Sequence, residues 1–258
     1  MLRPRVTPCL LISKGGLVKT VLFANPKYVG DPVNAVKIFN EKEADELVVL
    51  DIDATREARA PNERLISQFA VECRMPLCYG GGITTVAQAK RIISLGVEKI
   101  ALSTAAFDDP DLIGAIAQEI GGQSVVVVLD VKRSASGAAE VFTRNGTAPT
   151  GLTPTAAAQL AEARGAGEIL VNAVDRDGMM QGYDLALARE VRAAVRLPMT
   201  VLGGAGKLDH LQELIDACGV VGAAAGSLFV FKGAYKAVLI NYPSSAQKEE
   251  LLLSVRPS

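Results

Sequence analysis

Short apolar runs alternate with amphipathic segments along nearly the whole chain. The runs at 5–11, 46–52, 76–79, 99–102, 124–130, 168–174, 198–202 and 220–225 are rich in Val, Ile, Leu and Ala. Runs this short, built largely of β-branched residues, predict strands covered on both faces. Helices are predicted between them at 31–42, 62–72, 109–120, 154–164, 184–195 and 208–217, with another capped by Thr84/Thr85 and ending at Leu95–Gly96. Asp31 is placed to cap the first of these, with Pro32 at its first turn. A final helix is expected at 233–241. Residues 15–30 and 134–151 read as long loops. Residues 243–258 read as a polar C-terminal segment with one more helical turn.

Eight strand–helix units with helix-sized crossovers predict an α/β fold, either a (β/α)8 TIM barrel or a doubly wound open sheet. An internal repeat favours the barrel. A shift of 122 residues places Glu46 on Glu168, Pro76 on Pro198, Gly81-Gly82 on Gly203-Gly204 and Phe107 on Phe229. A shift of 119 brings Leu11 onto Asp130. Two homologous half-barrels, about 1–120 and 121–242, close naturally into one domain over residues 1–258.

Composition narrows the function. With 258 residues, 49% of them hydrophobic, the chain has material for a large core. A net charge of −1 and the absence of Trp argue against nucleic-acid binding and against a charged membrane surface. The four cysteines have no CxxC spacing and there is one His, so neither a metal nor a cofactor site is expected. The basic and apolar N-terminus is interrupted by Pro4 and Pro8, unlike a signal peptide, and the expected location is the cytoplasm.

The chemistry is expected where barrels place it, at the carboxyl ends of the strands. The run VVVVLD ends in Asp130, and LDIDAT and VDRDG bring Asp51, Asp53, Asp175 and Asp177 to the same face. Desolvation in a barrel mouth would raise a carboxyl pKa into a useful range for proton transfer. Glycines follow the third and seventh strands (Gly80-Gly81-Gly82 and Gly203-Gly204). Ser103-Thr104 and Gly226-Ser227 follow the fourth and eighth. These are the ingredients of two phosphate cradles, one per half, although glycines also serve simply to make turns. Lys19 sits on the first long loop, either as a lid residue or as a solvated lysine. At the opposite face, Arg5, Glu46, Lys99 and Glu168 mark strand starts. They form either a ring of ion pairs across the barrel floor or a set of solvated charges.

Together these stretches, including LDI, GGGITTVAQAKRIISLGVEKIALSTAAF, VVLDVKR, DRDG, GYDLALAREV and GGAGKLDHL, resemble the cyclase subunit of imidazole glycerol phosphate synthase. The resemblance implies a half-barrel-duplicated (β/α)8 fold. Gly82, Ser103, Thr104, Gly204, Gly226 and Ser227 would form the phosphate sites, with Lys19, Asp51, Asp177 and Gly178 completing the substrate site. Arg5, Glu46, Lys99 and Glu168 would form a gate where a partner glutaminase docks and ammonia enters the barrel. The family pairs Asp130 with a second aspartate at position 11, in PCLDV. This chain reads Pro8-Cys9-Leu10-Leu11-Ile12 and carries Asp53 where a hydroxyl residue is usual.

Losing half of an acid/base pair while keeping floor and loops resembles the paralogous branch found in O-antigen and related surface-sugar clusters. There, ammonia is passed to a sugar amidotransferase that makes acetamidino sugars. An authentic cyclase of histidine biosynthesis and an inert phosphosugar-binding scaffold are the alternatives.

Overall fold

The computed structural model describes residues 3–134, 137–233 and 235–253. Eight parallel strands close into a barrel: β1 (Arg5–Ser13), β2 (Leu47–Asp51), β3 (Leu77–Gly80), β4 (Lys99–Leu102), β5 (Val125–Arg133), β6 (Glu168–Ala173), β7 (Met199–Leu202) and β8 (Gly222–Ala225). The pairings run β1 to β8 in order, and β8 returns to β1. The molecule is therefore a (β/α)8 barrel, not an open sheet.

Side-chain alternation divides the core in two. Val6, Leu10, Ile12, Val49, Val127 and Val171 point outward into the layer between barrel and helices. Cys9, Leu11, Val48, Cys78, Ala101, Val126, Val128, Leu170 and Ala224 fill the bore. The helices are fixed by local chemistry. Asp31, Asn62, Thr85, Thr153 and Asp184 each accept a backbone N–H at a helix start, and Gln88 closes a capping box with Thr85.

Three expected irregular or helical segments fold differently. Residues 15–30 form an antiparallel hairpin, Gly16–Val21 with Ala24–Gly30, whose first strand pairs with β1. Its turn is made by Leu22 and Phe23, both at positive φ (54° and 62°). Neither residue type announces a turn that requires φ > 0, and each costs about 1 kcal/mol there. Asp177 offsets that cost. Its backbone carbonyl accepts from Leu22 N at 3.0 Å, and its carboxylate accepts from Phe23 N at 3.1 Å and Thr20 Oγ1 at 2.6 Å. Gly178 lies so close to Val21 that an added Cβ would sit 3.0 Å from its Cα.

The second long loop likewise contains strands, Ala139–Thr143 and Ala148–Pro149, and β5 runs on past Asp130 to pair with the first of them. Residues 135–136 of that segment lie outside the described residues. The final helix expected at 233–241 is instead a short hairpin, Phe231–Lys232 with Ala237–Val238. Gly233 and Lys236 take positive φ, which a helix cannot accommodate. Residue 234 is outside the described set. The C-terminal segment carries a nine-residue helix, Ser245–Leu253, longer than the single turn expected; 254–258 are not described. Short helices also follow β4 and β8, at Thr104–Asp108 and Ser227–Val230. Among the described residues no helix is long and apolar enough to cross a membrane.

Removing the Asp177 carboxylate should loosen the hairpin without unfolding the barrel. For Asp177→Ala we expect faster amide hydrogen exchange over 16–30, with the β5 and β6 amides protected as in the parent.

Candidate active site in the barrel mouth and the charged floor

The floor ring exists and is closed. Arg5 reaches Glu46 and Glu168, each at 2.6 Å, and Lys99 reaches the same two carboxylates at 2.7 and 2.8 Å. Two cations and two anions thus alternate across the bore at the amino-terminal ends of the strands. Thr200, which the sequence did not single out, adds a fifth member: its hydroxyl donates to Glu168 at 2.6 Å and lies 3.3 Å from Arg5. Gly222 makes this possible, since any Cβ there would collide with the Thr200 hydroxyl. Burial pushes the Glu46 carboxyl up. The Arg5 and Lys99 charges, with their hydrogen bonds, hold Glu168 below its ordinary value despite desolvation.

At the other end, the mouth divides into two cavities. The larger, about 120 Å³, is lined by Asp51, Gly80–Gly82, Ser103, Thr104 and Asp130. The smaller, about 30 Å³, is lined by Lys19, Asp177, Gly178, Gly203, Gly204, Gly226 and Ser227. Leu11, Phe23 and Asn172 line both. The two glycine loops therefore flank one central saddle. Gly82 and Gly204 are both at positive φ, and a Cβ on either would strike a neighbouring backbone carbonyl, Arg59 O or Gly182 O. The glycines are required by the turns and, at the same time, bring main chain to the cavity walls.

Asp130 lies in the saddle, 8% exposed. Asn172 Nδ2 donates to its Oδ1 at 2.9 Å and Ser103 Oγ to its Oδ2 at 3.2 Å. Burial pushes the Asp130 carboxyl up to about 6, even though both donors favour the ionised form. Its sequence neighbours turn away: Lys132 lies over the Phe142 ring and Arg133 pairs with Asp184 at 3.0 Å. Leu11, on the inward face of β1, presents only an isobutyl group to the same space.

Lys19 is neither a lid residue nor solvated. It is 6% exposed on the hairpin's first strand, and its Nζ donates to Cys9 O at 3.1 Å. The ammonium packs against Gly226, where a Cβ would collide with it. Desolvation lowers its pKa.

The other acids are each held by neighbouring donors. Asp51 accepts from Asp53 N and Ala54 N, both at 3.1 Å, with Arg59 at 3.4 Å. Asp53 is bound by Ser13 Oγ (2.7 Å), Lys14 N (2.9 Å) and Arg56 (2.7 Å). It pins the end of β1 and does not replace the carboxylate missing at position 11. Asp175 accepts from Arg133 N at 2.7 Å. Thr104 Oγ1 accepts from Arg144 N at 3.0 Å. Phe23 and Asn172 escaped sequence reading; the signal for Asn172 was a lone amide inside the apolar run EILVNAV. Among the described residues no cluster of His, Cys, Asp and Glu is arranged to hold a metal ion.

Known sequences match this chain along most of its length. The profile of the histidine biosynthesis protein family matches residues 5–236. A Leptospira interrogans protein named "Putative imidazole glycerol phosphate synthase subunit HisF" is 56% identical over 252 residues, spanning 97% of this chain and 99% of its own. The similarly named hisF3 of Vibrio vulnificus is 55% identical over 253 residues, 98% of this chain and 97% of its own. The imidazole glycerol phosphate synthase subunit HisF of Limosilactobacillus fermentum is 41% identical over 233 residues, spanning 90% and 89%.

Two consequences are measurable. Because the folded Asp130 pKa lies above its unfolded value, the native state binds the extra proton between about pH 4 and 6, so this group costs stability as pH rises through that window. Asp130→Asn should therefore stabilise the fold by roughly 1–3 kcal/mol at pH 8 and by little at pH 4, as read by urea denaturation. Arg5→Ala leaves two buried carboxylates sharing one cation and should cost about 3 kcal/mol in the same assay.

Proposed function

The chain belongs to the histidine biosynthesis protein family, and from that premise we propose that it is the synthase-side subunit of a glutamine amidotransferase. In this reading a partner glutaminase docks at the amino-terminal face and releases ammonia against the Arg5–Glu46–Lys99–Glu168 gate. Ammonia then crosses the bore to the mouth. There a phosphate-bearing ligand rests on the two glycine loops, with Gly82, Ser103 and Thr104 at one end. Gly204, Gly226, Ser227 and the Lys19 ammonium hold the other. A helix-start N–H and a buried cation both favour an anion. The duplicated loops support a ligand with two anionic ends, and one domain made of two half-barrels is the arrangement that supplies them.

The observation that carries the finer reading is Leu11 opposite Asp130. Ring closure by an acid/base pair needs a proton donor and a proton acceptor, and this mouth supplies one such carboxyl. We infer that the chain delivers ammonia for acetamidino-sugar formation by a sugar amidotransferase, in surface-polysaccharide synthesis, and not for histidine. Relatives bearing numbered names, hisF3 in Vibrio vulnificus and hisF2 in Pseudomonas aeruginosa, suit a second, specialised copy. An authentic cyclase would need a substitute for Leu11, and Asp53 is already engaged.

The test is glutamine hydrolysis by a candidate partner glutaminase, with and without the chain. The reading expects stable binding and stimulated hydrolysis, with stimulation reduced in Lys99→Ala. Absence of both binding and stimulation would overturn it.

A further inference from the structure

Asn172 stands directly across from Asp130 in the β5–β6 register, 5% exposed, with its amide nitrogen 2.9 Å from Asp130 Oδ1. It is the polar residue among the inward-facing Glu168, Leu170 and Asn172 of β6 at the mouth end, and it borders both cavities. A buried carboxylate is ordinarily aimed by a cation. Here the groups facing Asp130 are Cys9 and Leu11 from β1, Ser103 after β4, Asn172 on β6 and Asp177 beyond it. None of these is a cation, and Lys132 and Arg133 on its own strand point away. The orientation of Asp130 is therefore set by two neutral donors, and the shorter bond is the one from Asn172.

Resting on the reading that ammonia emerges at this mouth, we propose that Asn172 is a positioning residue. It holds the Asp130 carboxylate aimed into the saddle as a hydrogen-bond acceptor for an N–H donor such as ammonia. The amide takes one lone pair of Asp130 Oδ1 and Ser103 takes one of Oδ2, which leaves one further acceptor position on each oxygen. With Leu11 as the opposite wall, position 11 offers no second carboxyl to this space. This makes the pair Asp130–Asn172 the polar unit of the site, across strands β5 and β6, where the family's pair spans β1 and β5.

The experiment is a carbon-13 NMR titration of the full-length chain labelled at the Asp carboxyl carbons, with Asp130 assigned by loss of its signal in Asp130→Asn. Removing a donor to a carboxylate favours the protonated form. Asn172→Leu is expected to move the Asp130 midpoint upward, and Asn172→Thr, which keeps a hydroxyl donor, to restore part of the shift. Ser103→Ala, which leaves the Asn172 bond in place, should move it less than Asn172→Leu. An unchanged midpoint in folded Asn172→Leu overturns the proposal. If that variant does not fold, an unchanged midpoint in Asn172→Ala, which likewise lacks the donor, overturns it. The titration needs neither partner nor ligand, so its failure is distinct from failure of the glutaminase assay.

Discussion

Inside a closed parallel barrel no bulk water screens a charge, so every inward-pointing ionisable group must be answered by its neighbours. This constraint organises the molecule from floor to mouth. At the floor the answer is ionic: two cations and two carboxylates alternate, with Thr200 completing the shell of Glu168. Above it the bore is apolar, lined by Cys9, Val48, Cys78, Val126 and Leu170. At the mouth the answer is dipolar. Asp130 is met by an amide and a hydroxyl, and Lys19 by a backbone carbonyl. A ring of four balanced charges is a poor source of stability, because desolvation offsets much of its Coulomb energy. In the proposed function it serves as a polar entrance to the apolar bore.

The same constraint explains what Leu11 does. An aspartate there would have placed a second carboxylate beside Asp130, with Lys19 as the nearest available cation. The leucine carries no charge and joins the apolar lining, while the Lys19 ammonium, held by the Cys9 carbonyl, faces the second glycine loop. Between the two cavities the saddle thus presents the Asp130 carboxyl on one side and an isobutyl group on the other. Phe23 closes the saddle from above, held at positive φ by Asp177.

Much of the strand and helix placement was legible because each barrel strand is a compact apolar run and five helix starts carry a side-chain cap. The floor ring was legible from charges at or near strand starts, of which Glu46 and Glu168 fall 122 positions apart. What escaped depends on distant partners. The Leu22–Phe23 turn is stabilised by a residue more than 150 positions away, so nothing local marks it. Thr200 reads as an ordinary β-branched strand residue until Gly222 is seen to make room for its hydroxyl. Asn172 was absorbed into an apolar run, although an amide among buried aliphatics always needs a partner. Lys19 looked solvated because its loop looked polar, yet that loop is a hairpin packed on β1.

The central claim is that Leu11 removes one half of an acid/base pair from an otherwise intact mouth. Its most direct test compares the native chain with Leu11→Asp for ammonia-dependent formation of imidazole glycerol phosphate from its ring-open precursor. The account predicts no product above background from the native chain and a measurable gain from the substitution. Robust product formation by the native chain, unimproved by Leu11→Asp, would contradict it.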